Sequence, residues 1–240
     1  TTCTVAATNA VGTGPASLPS NAATPGSGGS FAFVPLLVIQ TQLAVVDLDI
    51  GVVVGYITIS AGMSGMAVSP DGARVYLVGP GGIEVIDTRS RTSVATIPVG
   101  TSPRGAVVSP DSTRIYVTNA GDNTVSVVDA LSRQVVTTIP VPSQPNGIAI
   151  TPDGSRALVV HGASRTVSMI DTATHTVTAS LTAGASPIGV ATSPDGRYAY
   201  VTGQASNDLT VIDVAAGSVV ATVPTGARPY GVVVGRDSRR

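Results

Sequence analysis

The sequence predicts an all-β chain built from stacked four-stranded units, the architecture of a β-propeller. Three observations carry that expectation. First, runs of about five β-branched or apolar residues follow one another between turn signals; one stretch gives Gly105–Ser109, Arg114–Thr118, Thr124–Asp129 and Val135–Ile139. Short β-branched runs bounded by Gly, Pro, Asn and Asp read as strands joined by hairpins. Second, the pattern repeats. The turn prolines Pro70, Pro110, Pro152 and Pro194 are spaced by 40, 42 and 42 residues, and the strand-closing aspartates Asp47, Asp87, Asp129, Asp171 and Asp213 by 40, 42, 42 and 42. A period of about 40–45 residues with four strands per unit belongs to propeller blades, because one small sheet cannot bury both faces until neighbours stack on it. Third, the apolar runs lack the 3.6-residue spacing of helical repeats.

Residues 1–25 stand outside the repeat. Thr2–Asn9 alternates as a strand and Ala10–Pro15 forms a bulged turn. The run Ala7-Thr8-Asn9-x-x-Gly12-x-Gly14 resembles the end of a fibronectin type III domain; that resemblance implies a remnant unable to form a core alone, with Cys3 as a buried structural thiol. Residues 26–30, Gly-Ser-Gly-Gly-Ser, read as a flexible linker. The repeats occupy 31–240. Blade one is expected as Leu36–Gln40, Leu43–Asp47 and Val52–Ile59, without a first strand. Blade two spans Gly65–Val99, with the loop after Leu77-Val78-Gly79 two residues short. Blades three, four and five are Gly105–Val141, Gly147–Thr182 and Gly189–Thr225, and a lone first strand, Gly231–Gly235, follows. These make five blade-equivalents, and pairing Gly231–Gly235 with Leu36–Gln40 would close a ring. The Pro-Asp-Gly turns suit type I geometry with a following positive φ. Glycines 105, 147, 189 and 231 are expected to allow close packing around the axis.

Tyr116-Val117-Thr118-Asn119, the turns Ser69–Gly72 and Ser193–Gly196, Val211-Ile212-Asp213 and the linkers Ile97–Gly100 and Pro103–Gly105 resemble the YVTN family of β-propellers, over residues 31–240. The resembled family usually has seven blades, which implies that these repeats are an excerpt of a larger propeller. Together with the fibronectin-like neighbour, the resemblance implies an extracellular or cell-envelope protein.

Composition narrows the function. The chain has 240 residues, 43% hydrophobic and 11% charged, and all 13 basic residues are arginines. A net charge of −1 argues against a nucleic-acid surface. One cysteine excludes an internal disulfide framework and a cysteine zinc cluster. The most apolar run, Phe31–Val46, is interrupted by Pro35, Gln40, Thr41 and Gln42 and is shorter than the ~20 residues of a spanning helix, so no membrane span is expected.

Candidate chemistry dissolves into the repeat. Gly184–Gly189 fails the nucleophile-elbow pattern at Ile188 and recurs as the linker Gly100–Gly105. Gly12-Thr13-Gly14 does not complete a dinucleotide fingerprint. His161 replaces Asn119 at the end of a second strand, and His175 lies in a turn; both read as solvated loop residues. The periodic aspartates read as acceptors for backbone donors in the turn that follows. No cofactor and no catalytic set are expected. What breaks the repeat is the set Arg104, Asn119, Asn146, His161 and Tyr230, side chains suited to contacts. Two classes of function remain: a non-catalytic module binding a protein or polysaccharide at one propeller face, or a lactonase-type enzyme acting in the central channel.

Overall fold

The structure is a computed structural model that describes residues 8–9, 12–13, 31–36, 42–60 and 62–235. Cys3 and the 26–30 linker lie outside the described residues. Strands β1 (Thr8–Asn9) and β2 (Gly12–Thr13) pair antiparallel. Every later strand belongs to one of five antiparallel sheets, and no helix occurs among the described residues.

The first of these sheets has three strands: β3 (Phe31–Pro35), β4 (Gln42–Asp47) and β5 (Val52–Thr58). The other four have four each. They are β6 (Gly65–Val68), β7 (Arg74–Gly79), β8 (Gly82–Asp87) and β9 (Thr92–Ile97); then β10 (Pro103–Val108), β11 (Arg114–Asn119), β12 (Thr124–Asp129) and β13 (Gln134–Pro140). β14 (Pro145–Ile150), β15 (Arg156–His161), β16 (Thr166–Asp171) and β17 (Thr176–Thr182) follow, and last β18 (Pro187–Thr192), β19 (Tyr198–Gly203), β20 (Asp208–Asp213) and β21 (Ser218–Pro224). Each sheet is a consecutive meander, the blade of a β-propeller.

Two expectations are corrected. The second strand of blade one is Phe31–Pro35, in register Phe31↔Asp47 to Pro35↔Leu43, and not Leu36–Gln40. Pro35, which has no N–H to donate, ends the strand instead of preceding it; residues 37–40 lie outside the described residues. Gly231–Gly235 forms no strand. It pairs with no strand among the described residues. Its entrance nonetheless keeps the repeat's position: Thr202 Oγ1 donates to the Tyr230 carbonyl at 3.0 Å.

Alternation along each strand decides the core. In β11, Ile115 and Val117 pack against Val78, Ile83 and Val85 of blade two, while Tyr116 packs with Ile148, Ala157 and Val159 of blade four. Successive side chains point to opposite faces, so the middle strands feed two interblade cores at once. Leu43, Val45 and Ile57 do the same between blades one and two, and Leu158, Val160 and Met169 between four and five.

The inner strands approach too closely for any side chain at the linker glycine. A Cβ on Gly105 would lie 2.7 Å from the Asn146 carbonyl oxygen, and one on Gly189 2.9 Å from that of Tyr230; Gly65 and Gly147 are tighter still against Arg104 and Ile188. Thr118 locks this approach: its Oγ1 accepts from Gly105 N at 2.9 Å and donates to the Asn146 carbonyl at 2.7 Å.

Candidate functional site: a cleft between the third and fourth blades

Loops sort onto two faces by their hydrogen bonds. The interblade linkers lie with the loops between second and third strands: Ala120 N donates to Ser102 O (3.0 Å), and Gly162 N to Gln144 O (3.2 Å). The turns between first and second strands lie on the opposite face with those between third and fourth, joined by Ala130 N to Thr113 O (3.0 Å).

The second face is structural. Asp87, Asp129 and Asp171 each use Oδ1 to accept two backbone N–H groups of the following turn, at 2.8–3.1 Å. These turns carry Arg91, Arg133 and His175 in the left-handed region, and the turns after Asp47 and Asp213 carry Gly51 and Gly217 there. Asp87 also meets Arg74 at 2.5 Å and Asp129 meets Arg114 at 2.6 Å. Bonds from Ser132 and Ser90 hold Asp129 and Asp87 below the ordinary carboxylate range. These aspartates cap turns and do not converge.

The linker face holds a cleft of about 270 Å³. Its walls are the same repeat positions taken from two adjacent blades: Ser102, Arg104 and Ala120 from one, and Gln144, Asn146 and Gly162 from the next. Gly121 and Pro145 complete it. Small residues create the space. In the next repeat Gln204 stands where Gly162 stands here, and Ile188 where Asn146 does. Ser102 and Gln144, with φ of 49° and 54°, hold the left-handed conformation before each linker proline, which turns the chain sharply into the inner strand.

Of the five residues that break the repeat, the structure brings two together, Arg104 and Asn146. Arg104 is exposed and its guanidinium makes no hydrogen bond or ion pair with the described residues. The side chains of Ser102, Gln144 and Asn146 are likewise without an internal partner. Tyr230 is 47% exposed, two linkers further round.

Asn119 and His161 are corrected: both are fully buried at the ends of β11 and β15, not solvated in loops. Asn119 Nδ2 donates to Ser126 Oγ at 2.9 Å, and His161 Nε2 lies 2.9 Å from Ser168 Oγ. Burial pushes the His161 imidazole down to about 4, the nearby Pro142 backbone opposing only weakly. Their polarity suggested exposure because the third-strand serines that bond one nitrogen of each are not adjacent in sequence. The 42-residue spacing of Glu84, Ser126, Ser168 and Thr210, all buried, was the signal that could have revealed this internal polar column. Ser102 and Gln144, each preceding a linker proline, are polar contributors to the cleft that sequence reasoning missed.

Among the described residues no three His, Cys, Asp or Glu side chains gather at metal-binding distance, and no helix is long and apolar enough to cross a membrane. The model of the YNCE-like β-propeller family matches residues 106–195. Among solved structures, hydrazine synthase of Kuenenia stuttgartiensis is 20% identical with a TM-score of 0.59, covering 80% of this chain and 82% of that one. A functionally unknown protein from Desulfotomaculum acetoxidans is also 20% identical, with a TM-score of 0.75, over 86% of this chain and 70% of that one. At such identity the likeness establishes the fold alone. No curated protein matches the sequence.

Proposed function

We propose that this β-propeller is a non-catalytic binding module, carried outside the cell or in its envelope, that takes its ligand on the linker face. The observation that carries the reading is the cleft between blades three and four, with the unpaired guanidinium of Arg104 beside the free amides of Gln144 and Asn146. Unsatisfied donors held on a rigid scaffold are what recognition requires: the blades fix the backbone and the loops supply the contacts. The groups lining the cleft are suited to hydrogen bonding and supply neither a general base nor a nucleophile with an activating partner.

The test is capture of extracellular or envelope components by the immobilised chain, compared with a variant carrying Arg104→Ala and Tyr230→Ala. Retention is expected to fall with the thermal midpoint unchanged, since exposed loop substitutions cost within ~0.5 kcal/mol. Turnover of a lactone or other small substrate, abolished by one substitution in the central channel, would overturn the reading.

A further inference from the structure

We infer that the cleft is a subsite for a hydroxylated carboxylate of the uronic-acid class, either a free acidic sugar or one residue of an acidic polysaccharide. The inference rests on the binding reading above and specifies its ligand. The charge argument comes first. Arg104 is the one ionised side chain lining the cleft, and its planar fork of donors matches a carboxylate in two parallel hydrogen bonds. The acid nearby on the same face, Asp122, is already engaged by Thr101 through both its backbone N–H (2.6 Å) and its hydroxyl. It forms no ion pair with Arg104.

The remaining walls select what surrounds the carboxylate. Ser102, Gln144 and Asn146 each present both donor and acceptor capacity without an internal partner, and a sugar ring offers hydroxyls that do both. No aromatic or large aliphatic side chain lines the cleft, so it lacks the anchor pocket that dominates most peptide and protein interfaces. A single cation is too little for a polyphosphate backbone, whose affinity accumulates over many charge contacts. The volume of about 270 Å³ sits at the lower edge of small-ligand pockets, a size for one residue of a chain and not for an extended oligomer. Preorganisation supports the assignment: Thr118 ties the backbone of Asn146 to Gly105, the residue after Arg104, so the two walls are held at fixed separation before any ligand arrives.

The repeat itself supplies the control. A Cβ on Gly162 would meet nothing nearer than the Pro187 carbonyl at 3.9 Å, so Gly162→Gln, which installs the residue of the following blade, adds a longer side chain at this cleft-lining position without a clash against the backbone. Calorimetric titration of the 240-residue chain would use D-galacturonate, oligogalacturonate, D-galactose, glutarate and poly-L-glutamate as probes. The expected result is binding of galacturonate or its oligomer, weakened at least about tenfold by Arg104→Ala and abolished by Gly162→Gln, with both variants melting as the parent does. Equal binding of monomer and oligomer per residue assigns a free acidic sugar; binding of the oligomer alone assigns a polysaccharide. Galactose binding as well as galacturonate, or oligomer binding untouched by both variants, would overturn the inference. Arg104-dependent binding of poly-L-glutamate or glutarate without galacturonate would also overturn it while leaving the binding reading standing, as would silence from every probe beside positive capture in the experiment above.

Discussion

At the residue scale, positions that differ between repeats isolate single energetic effects. Ser112 holds a φ of +60° where the other three turns of its kind have Gly72, Gly154 and Gly196 at +71° to +74°. A side chain in that region is strained by roughly 1 kcal/mol, and the Ser112 hydroxyl makes no bond with the described residues that offsets it. Ser112→Gly is therefore expected to raise stability by up to about 1 kcal/mol in chemical denaturation, less whatever the added freedom of the unfolded chain removes. His161 isolates a proton. Buried neutral with its pKa pushed down to about 4, it stays uncharged in the fold while the unfolded chain takes up a proton below about 6.5. The contribution is flat above pH 6.5, and stability falls as pH drops from there to about 4, by a total of about 3 kcal/mol. His161→Asn, which copies the Asn119–Ser126 pair of the preceding blade, is expected to remove that slope in unfolding midpoints measured from pH 7 to 4. Below about pH 4 a second loss follows with either residue. Asp111 and Asp153 are held low by hydroxyl bonds from Ser109 and Thr151, so stability present above their unfolded pKa disappears as they protonate.

At the scale of elements, the interblade contact is the cooperative unit. Gly147 faces the Ile188 carbonyl so closely that a methyl group there collides with backbone. Backbone cannot swing aside as a side chain can, so Gly147→Ala is expected to cost about 2 kcal/mol or more, read as a shift in the denaturation midpoint with the slope unchanged. The hydroxyl of Thr118 bridges the same kind of junction between blades three and four, and Thr202 repeats it after blade five. Val160 occupies the position between them and fills the core with Leu158 and Met169 instead. The junction thus tolerates either a bridge or an apolar filling.

At the scale of the whole molecule, each blade depends on its neighbour, and the last sheet shows what happens without one. Val125, Val127 and Ile139 of blade three are buried by blade four. Their counterparts two repeats on, Leu209, Val211 and Val223, have no such cover among the described residues, and every residue of β21 is exposed. An apolar sheet face of this kind associates with others. This 240-residue chain is expected to show concentration-dependent association in sedimentation velocity, reduced by Val223→Lys at little cost in thermal stability.

The blades themselves were legible in the sequence. Period-2 alternation, turn residues and a 42-residue recurrence are local or periodic signals, and local chemistry sets strand and turn. The correct number of strands per blade, the glycine approach near the axis and the turn-capping aspartates followed from them. Tertiary structure decided what depended on partners distant along the chain. Phe31–Pro35 became the strand because its register against Gln42–Asp47 places Phe33 in the core, which an unbroken apolar run does not reveal. Asn119 and His161 became interior because Asn119 Nδ2 and His161 Nε2 find Ser126 and Ser168 across the sheet, a pairing that only strand register creates. The cleft is the same case at larger scale: Arg104 and Asn146 are 42 residues apart, and only the stacking of one blade on the next sets them on opposite walls of one space.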